Sequence, residues 1–498
     1  MTSEQSEQDT PTTDAAPAPA VPVGFDRVAI GDGVDEIVVR SPYDDAVVGR
    51  VPKCTRDHVA RAVAAAKAVL AGDGTNKGHH PLPAHERAAI LDRAALALAD
   101  RQEEFARTIA AEAAKPIRTA RVEAARAVDT FRFSAAEART LAGAVVPIDA
   151  SSAGVGKLGF TLRLPIGVVG AISPFNFPLN LVAHKLAPAI AAGCPVVLKP
   201  ASQTPLSAIA LAHLLLDDCG LPPGWLSVVT SGGGTVGDAL VEHPDIAMIT
   251  FTGSPPVGWG IRGRAAQKKV SLELGNNSPV IIEADSDWET AATKIRTAGF
   301  SHAGQSCIST QRIYVERPLL DRFVEKLAAE VATLVVGPPL DEGTEVSALI
   351  SHGETERVRS WVDDAVAAGA RVVAGGKVDD RGVLQPTVLV DVTPDMKVCS
   401  DEVFGPVVAV AAYDDFDEAL ALANDSQYGL QAAVFTERLD HALQAARTLD
   451  YGGVLVNEVP TWRADQQPYG GVRNSGNTRE GPHYAVREMT EERLVVLG

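Results

Sequence analysis

Residues 166–172, IGVVGAI, and 194–200, CPVVLKP, are two short β-branched apolar runs on either side of SPFNFPLN (173–180) and an Ala/Leu-rich stretch of helical spacing. A strand with an unbroken apolar run is buried on both faces, and a helix between two such strands is the signature of a parallel βαβ unit. The same texture continues through WLSVVT (225–230), IAMITFTG (246–253) and SPVIIE (278–283). A helix-covered parallel sheet is therefore expected from residue 166. Upstream, residues 56–72, 84–114 and 119–142 are rich in Ala, Leu, Arg and Glu with helical periodicity, so the first third should be largely helical. Downstream a second series alternates, with QRIYVE, RVVAGG, PTVLVD, VVAVAAY, AAVFT and GGVLVN as strands and 318–335, 354–369, 415–424 and 438–447 as helices. The fold class is α/β with two sheet-based units, and the boundary is expected near residue 282.

At 498 residues the chain is long enough for several packed domains, and its 46% hydrophobic and 22% charged composition is that of a globular enzyme. The 63 acidic against 45 basic residues give a formal charge of −18, which disfavours nucleic acid and anionic membranes as partners. Five scattered cysteines (54, 194, 219, 307, 399) form no CxxC pair, and no His cluster has metal spacing. Neither a disulfide framework nor a metal site is indicated, and the compartment reads as reducing, hence cytoplasmic. Residues 1–22 lack a basic start and an apolar run, and are expected to be a disordered polar tail. No stretch approaches a spanning helix, since the apolar runs are broken by His184, Lys185, Pro188 and Pro195.

Three segments carry possible chemistry. GFSHAGQSCIST (299–310) sets Cys307 in a loop of small residues, where backbone amides and a substrate can approach the sulfur. The alternative is a cysteine filling apolar space. SLELGNNSP (271–279) places one carboxylate, Glu273, between two leucines. Burial there would raise its pKa toward that of a water-activating base, whereas an exposed Glu273 would be a surface charge. In SPFNFPLN, Asn176 either donates to a developing oxyanion or caps the following helix.

Taken together, FNFP (175–178), KPAS (199–202), FTGS (251–254), LELG (272–275), GQSC (304–307) and EVFGP (402–406) resemble the aldehyde dehydrogenase superfamily in order, spacing and flanking sequence, over roughly 23–498. The resemblance implies Cys307 as the nucleophile that forms a thiohemiacetal and then a thioester. It implies Asn176 and the Cys307 amide at the oxyanion, and Glu273 as the base for hydrolysis. It further implies a small aldehyde oxidised to its acid, with NADP or NAD as cofactor. That cofactor would be bound by a Rossmann variant lacking GxGxxG, with helix amides beside Gly253 and Ser254 at the pyrophosphate, Lys199 at the adenine ribose, Glu402 at the nicotinamide ribose and Phe404 near its ring. Many NAD-preferring relatives carry Glu where Ser202 stands, so the neutral hydroxyl implies acceptance of NADP. Asn276 departs from the usual second glycine of the motif, and Asn tolerates glycine-like φ.

Positions that face the substrate tunnel in similar enzymes correspond to Phe177, Asn180 and His184, and Arg132 lies on a bordering helix with Arg463 past a strand end. Their polarity implies a small oxygenated or anionic aldehyde. Ser301 stands where succinate-semialdehyde enzymes usually place Arg, while the C-terminal PYGGVRNSGNTREGPHYAVREMTE (468–491) looks closer to lactaldehyde, sulfolactaldehyde, phosphonoacetaldehyde and nonphosphorylating glyceraldehyde-phosphate enzymes. CoA-acylating relatives usually lack the base, so Glu273 favours hydrolysis; a non-catalytic ligand-binding or structural relative is opposed by the intact Cys307, Asn176 and Glu273. The implied architecture is a cofactor domain (23–148 and 164–281), a catalytic domain (282–470) and an oligomerisation hairpin (149–163) pairing with the C-terminal part (471–498). A homodimer or homotetramer follows, because an open strand needs a partner to cover its edge.

Overall fold

A computed structural model describes residues 18–31, 33–71, 82–265 and 267–498. The expected tail lies outside the described residues up to position 17, but its last part is not loose. Val21–Val23 is a strand paired with Asp26–Val28, and Val21 and Val23 are fully buried.

The first sheet is wholly parallel, with strand order Lys269–Glu273, Ile246–Thr252, Val168–Ile172, Val196–Lys199, Leu226–Val228. The chain enters at the centre with Val168–Ile172, moves two strands to one side, then returns to fill the other. A crevice forms where strand order reverses, at the carboxyl ends of the two central strands. SPFNFP follows one of those ends and FTGS the other. The helix Asn180–Ala192 packs behind this point with every residue buried, on the helix Ile117–Thr140.

The second sheet has order Arg371–Ala374, Thr387–Val390, Val407–Tyr413, Arg312–Glu316, Pro279–Ile282, Gln431–Phe435, Gly453–Val456, parallel except for its first, edge strand. Pro279–Ile282 lies inside this sheet, so the expected boundary near 282 is too late. One apolar core runs from Val21 to Leu274 and a second begins at Val280. The chain crosses between the two units over 275–278, because only there does it leave one core before entering the other.

The C-terminal part also divides differently from expectation. Val486 and Met489 pack into the first core, so the helix Pro482–Glu488 is part of the first unit. Only Thr490–Leu497 extends outward, pairing antiparallel along Leu158–Pro165, which also pairs with Val145–Val146. Residues 148–154 form two short 3-10 turns rather than strand. Among the described residues no helix is long and apolar enough to cross a membrane.

Candidate active site

Between the carboxyl ends of the first sheet and the amino ends of the second lies a cleft of about 640 Å³, bordered by Asn176, Gly253, Glu273, Cys307, Glu402 and Phe404. With Ser254, which also lines it, seven of the expected site residues therefore share one cavity.

Cys307 follows a 3-10 turn, Ser301–Gly304, in which three successive residues are left-handed: His302 (φ 50°), Ala303 (φ 53°) and Gly304 (φ 70°). At Gly304 no side chain fits, since a Cβ would stand 2.1 Å from the Gly405 carbonyl oxygen. This turn folds the loop tightly enough to present the half-buried sulfur to the cleft. Burial pushes the Cys307 thiol up to about 12, against the opposing hydrogen bond of Tyr469. Its Sγ lies 2.9 Å from the Tyr469 hydroxyl. The Asn176 amide Nδ2 donates to the Gln305 carbonyl at 2.9 Å, which holds the amide beside the cysteine loop.

Glu273 ends the strand Lys269–Glu273 and is buried, with neither carboxylate oxygen hydrogen-bonded. Desolvation, followed by the nearby Glu480 carboxylate, holds its pKa well above the usual range; Arg463, Lys185 and Arg479 oppose this. A carboxyl group unpartnered and buried at a cavity wall is free to exchange its proton with a water or ligand that enters the cleft.

On the cofactor side, Lys199 ends the strand Val196–Lys199, and its ammonium makes only a 3.5 Å contact to the Pro200 carbonyl. Burial lowers its pKa. Glu402 accepts the Asn276 backbone N–H at 2.9 Å, and burial pushes its pKa up to about 7. Its carboxylate lies so close to Gly275 that a Cβ there would stand 2.1 Å from Oε2. Phe404 is itself left-handed (φ 47°) and meets Phe175 edge-on at 5.9 Å. Ser202 is not in this cleft; it lies beside Gln203 in a neighbouring groove of about 390 Å³. The helix Pro255–Arg264 begins with Ser254 as N-cap and two prolines, which removes two of the backbone donors expected beside Gly253 and Ser254 and leaves Val257 to offer the first amide.

The expected substrate residues separate. Asn180 and His184, one helical turn apart, meet at Asp465: Asn180 Nδ2 donates at 3.2 Å and His184 Nε2 lies at 2.9 Å. Burial lowers the His184 pKa, and Glu480 and Asp465 oppose this. Arg463 is buried, donates to Glu480 at 3.0 Å and lies 3.3 Å from His184 Nε2. Phe177 is half-buried beneath the Lys115 ammonium, 3.6 Å from its ring centre. Arg132 does not join them. It points to solvent and pairs with Asp129, because Glu123, Thr130 and Ser134 define the inward face of its helix.

The inward arginine is Arg126, which sequence reasoning missed. It grips Asp465 with two hydrogen bonds, 3.1 and 2.8 Å. Although burial alone would raise it, His184 and Arg126 hold the Asp465 carboxyl far below its usual range. The four-residue spacing from Arg126 to Thr130 and on to Ser134 was the available signal for a polar inner face. Tyr469 and Glu480 were missed as well, and no local pattern marks them.

Asn276 does not adopt positive φ, contrary to the glycine-like conformation expected. Its side-chain amide donates to Ser278 Oγ at 2.8 Å and the Gln431 carbonyl at 3.1 Å, and its Oδ1 accepts from Leu430 N–H at 3.4 Å. The side chain thus faces the second sheet, not the cleft.

The aldehyde dehydrogenase family matches residues 30–495. A 3-sulfolactaldehyde dehydrogenase from Priestia aryabhattai is 47% identical over 463 residues, covering 93% of this chain and 95% of that protein. Among solved structures, an aldehyde dehydrogenase from Physcomitrella patens in complex with the reaction product succinate superimposes with a TM-score of 0.92 at 38% identity, covering 97% of this chain and 99% of the other. A glyceraldehyde-3-phosphate dehydrogenase from Methanocaldococcus jannaschii complexed with NADP gives 0.88 at 37%, covering 94% and 100%.

Proposed function

Since the chain belongs to the aldehyde dehydrogenase family, we propose that it oxidises a small polar or anionic aldehyde, of the lactaldehyde or sulfolactaldehyde kind, to its carboxylic acid, with NADP or NAD as acceptor. The observation that carries this is the common wall on which Cys307, Asn176 and Glu273 stand.

The residues of the cleft fit a nicotinamide dinucleotide. Gly253 and Gly275 leave cradles that a Cβ would fill, 2.6 Å from the Phe251 ring and 2.1 Å from Glu402. Lys199 is a half-buried ammonium that no described carboxylate pairs with, suited to ribose hydroxyls. Ser202 is a neutral hydroxyl where many NAD-preferring relatives carry Glu, which favours acceptance of a 2′-phosphate. When bound, the cofactor supplies the two-electron acceptor.

The chain's own part starts with the thiolate of Cys307, which adds to the aldehyde carbon and forms the C–S bond of a thiohemiacetal. The second N–H of Asn176 Nδ2, together with the Cys307 amide, stabilises the oxyanion. After oxidation to the thioester, Glu273 takes a proton from water as the water oxygen attacks the acyl carbon. The C–S bond breaks, the thiolate returns, and the acid leaves. At the inner end Arg126 and Arg463 face the substrate tail, with Asn180 and His184 between them. A planar guanidinium suits a sulfonate or carboxylate. A substrate anion competes with Asp465 and Glu480, so only a compact tail that meets both arginines is held.

The oligomer is read here as a homodimer or homotetramer built on the Thr490–Leu497 strand, in a reducing, cytoplasmic setting; the open edge of the three-stranded sheet supports it.

The test measures cofactor reduction with sulfolactaldehyde, lactaldehyde, succinate semialdehyde and glyceraldehyde 3-phosphate, for the wild type and Cys307→Ala. Reduction without CoA that is lost in the variant supports the mechanism and ranks the substrates. Reduction that survives the variant, or that requires CoA, sinks it.

A further inference from the structure

Among the described residues the Cys307 sulfur has one polar side-chain partner, the Tyr469 hydroxyl at 2.9 Å. Tyr469 is buried, and its hydroxyl has no second partner among the described residues. The ring is fixed from three directions. The Arg463 guanidinium lies over its face at 3.7 Å, Arg463 is itself anchored to Glu480, and Tyr469 exchanges backbone hydrogen bonds with Glu480. The next residue, Gly470, lets the chain pass Glu273, since a Cβ there would stand 2.8 Å from Glu273 Oε1. One short segment thus runs between nucleophile and base.

The geometry points to Tyr469 as a positioning residue for the nucleophile, whose hydroxyl donates to Cys307 and holds the ionised sulfur at the cleft; this role rests on Cys307 being the nucleophile. A thiol is a weak donor and a thiolate donates nothing, so once the proton leaves sulfur the phenol must be the donor. Such a hydrogen bond to an anion strengthens as charge develops, and it compensates for burial that otherwise keeps the thiol protonated. Phenylalanine in the same place would preserve packing and the cation–π contact while leaving the thiolate without a donor. The proton lost by sulfur goes to solvent through the cleft, and the phenol keeps its own.

Alkylation by iodoacetamide reads this directly, because among the five free cysteines only Cys307 is not buried. In the full-length wild type the rate against pH reports ionisation of Cys307. Tyr469→Phe is expected to move that profile upward by about one pH unit, which is about a tenfold slower reaction at neutral pH. A profile that superimposes on wild type, or that moves down, overturns the role. If Tyr469→Phe does not fold, replacement of tyrosine by the more acidic 3-fluorotyrosine tests the same bond in the intact protein. A downward shift is then required, and an unmoved profile overturns it. Alkylation needs no substrate, so activity surviving in Cys307→Ala would defeat the functional reading by itself, separately from any result at Tyr469.

Discussion

The guanidinium of Arg126 forms two near-parallel hydrogen bonds with the carboxylate of Asp465, 3.1 and 2.8 Å long, across 339 residues of sequence. Asp465 also receives Asn180 and His184, so removing Arg126 unties this whole polar cluster. Arg126→Ala is expected to lower kcat/KM for an anionic aldehyde about a hundredfold while affecting a neutral aldehyde of the same length by less than about tenfold. Arg132→Ala should match the wild type with both, since Arg132 contacts only Asp129 at the surface. Steady-state kinetics of the two variants on paired substrates decide between the two arginines, and equal losses with both aldehydes contradict an anion-binding role.

Glu273 is buried with both oxygens unpartnered, and desolvation holds its pKa well above 4.5. A base works only when ionised, so a raised pKa means that turnover is lost as pH falls through a point above the ordinary carboxylate range. In Glu273→Gln the acylation half-reaction should survive as a burst of about one reduced cofactor per active site, followed by steady turnover slower by about 10²–10⁴. Stopped-flow absorbance separates the phases. A variant with no burst places Glu273 in acylation instead.

The role proposed for Ser202 in cofactor choice, where its hydroxyl bonds Gln203, is open to a charge test. If the 2′-position of the cofactor lies at residue 202, a carboxylate introduced by Ser202→Glu repels a 2′-phosphate. The NADP to NAD ratio of kcat/KM should fall by about a hundredfold, mainly through KM for NADP. If both cofactors lose equally, position 202 does not meet the 2′-position.

Gly275 provides a purely steric test. A Cβ there meets Glu402 Oε2 at 2.1 Å, so Gly275→Ala has to push that carboxylate away. Cofactor affinity, followed by fluorescence titration, should drop about tenfold or more. At Gly260, on the helix beside the cleft, a Cβ meets nothing within 4 Å, and Gly260→Ala is expected to bind as wild type does. Unchanged binding in Gly275→Ala excludes Glu402 from the cofactor site.

Much of this was legible in the sequence because parallel strands buried on both faces announce themselves as unbroken apolar runs. IGVVGAI, CPVVLKP, IAMITFTG and VVAVAAY all fall on strands. The same property hides which sheet a strand joins: SPVIIE carries no mark of its neighbours, and the unit boundary was placed late for that reason. The resemblance points to the helix that carries Arg132 but not to the face it turns inward, and that face holds Glu123, Thr130 and Ser134 while Arg132 lies at the surface. Cys307 and Glu273 could be named from local sequence, but Tyr469 is 162 residues from the sulfur it touches, and only the closed fold brings them together.

Asn276 gives the last prediction, where family pattern and structure part. The usual second glycine suggests that Asn276→Gly should be harmless or improve the cofactor site. Here the Asn276 amide instead ties the crossing segment to Ser278, to the Gln431 carbonyl and to the Leu430 N–H, all buried. Each such bond contributes about 1 kcal/mol net, and glycine further loosens the unfolded chain by about 1 kcal/mol, so the sum is about 3 kcal/mol of lost stability when the weak 3.4 Å contact is discounted. Denaturant unfolding of Asn276→Gly should show that loss while cofactor affinity stays within about twofold of wild type. A variant of unchanged stability and altered cofactor affinity would put the Asn276 side chain in the cleft rather than behind it.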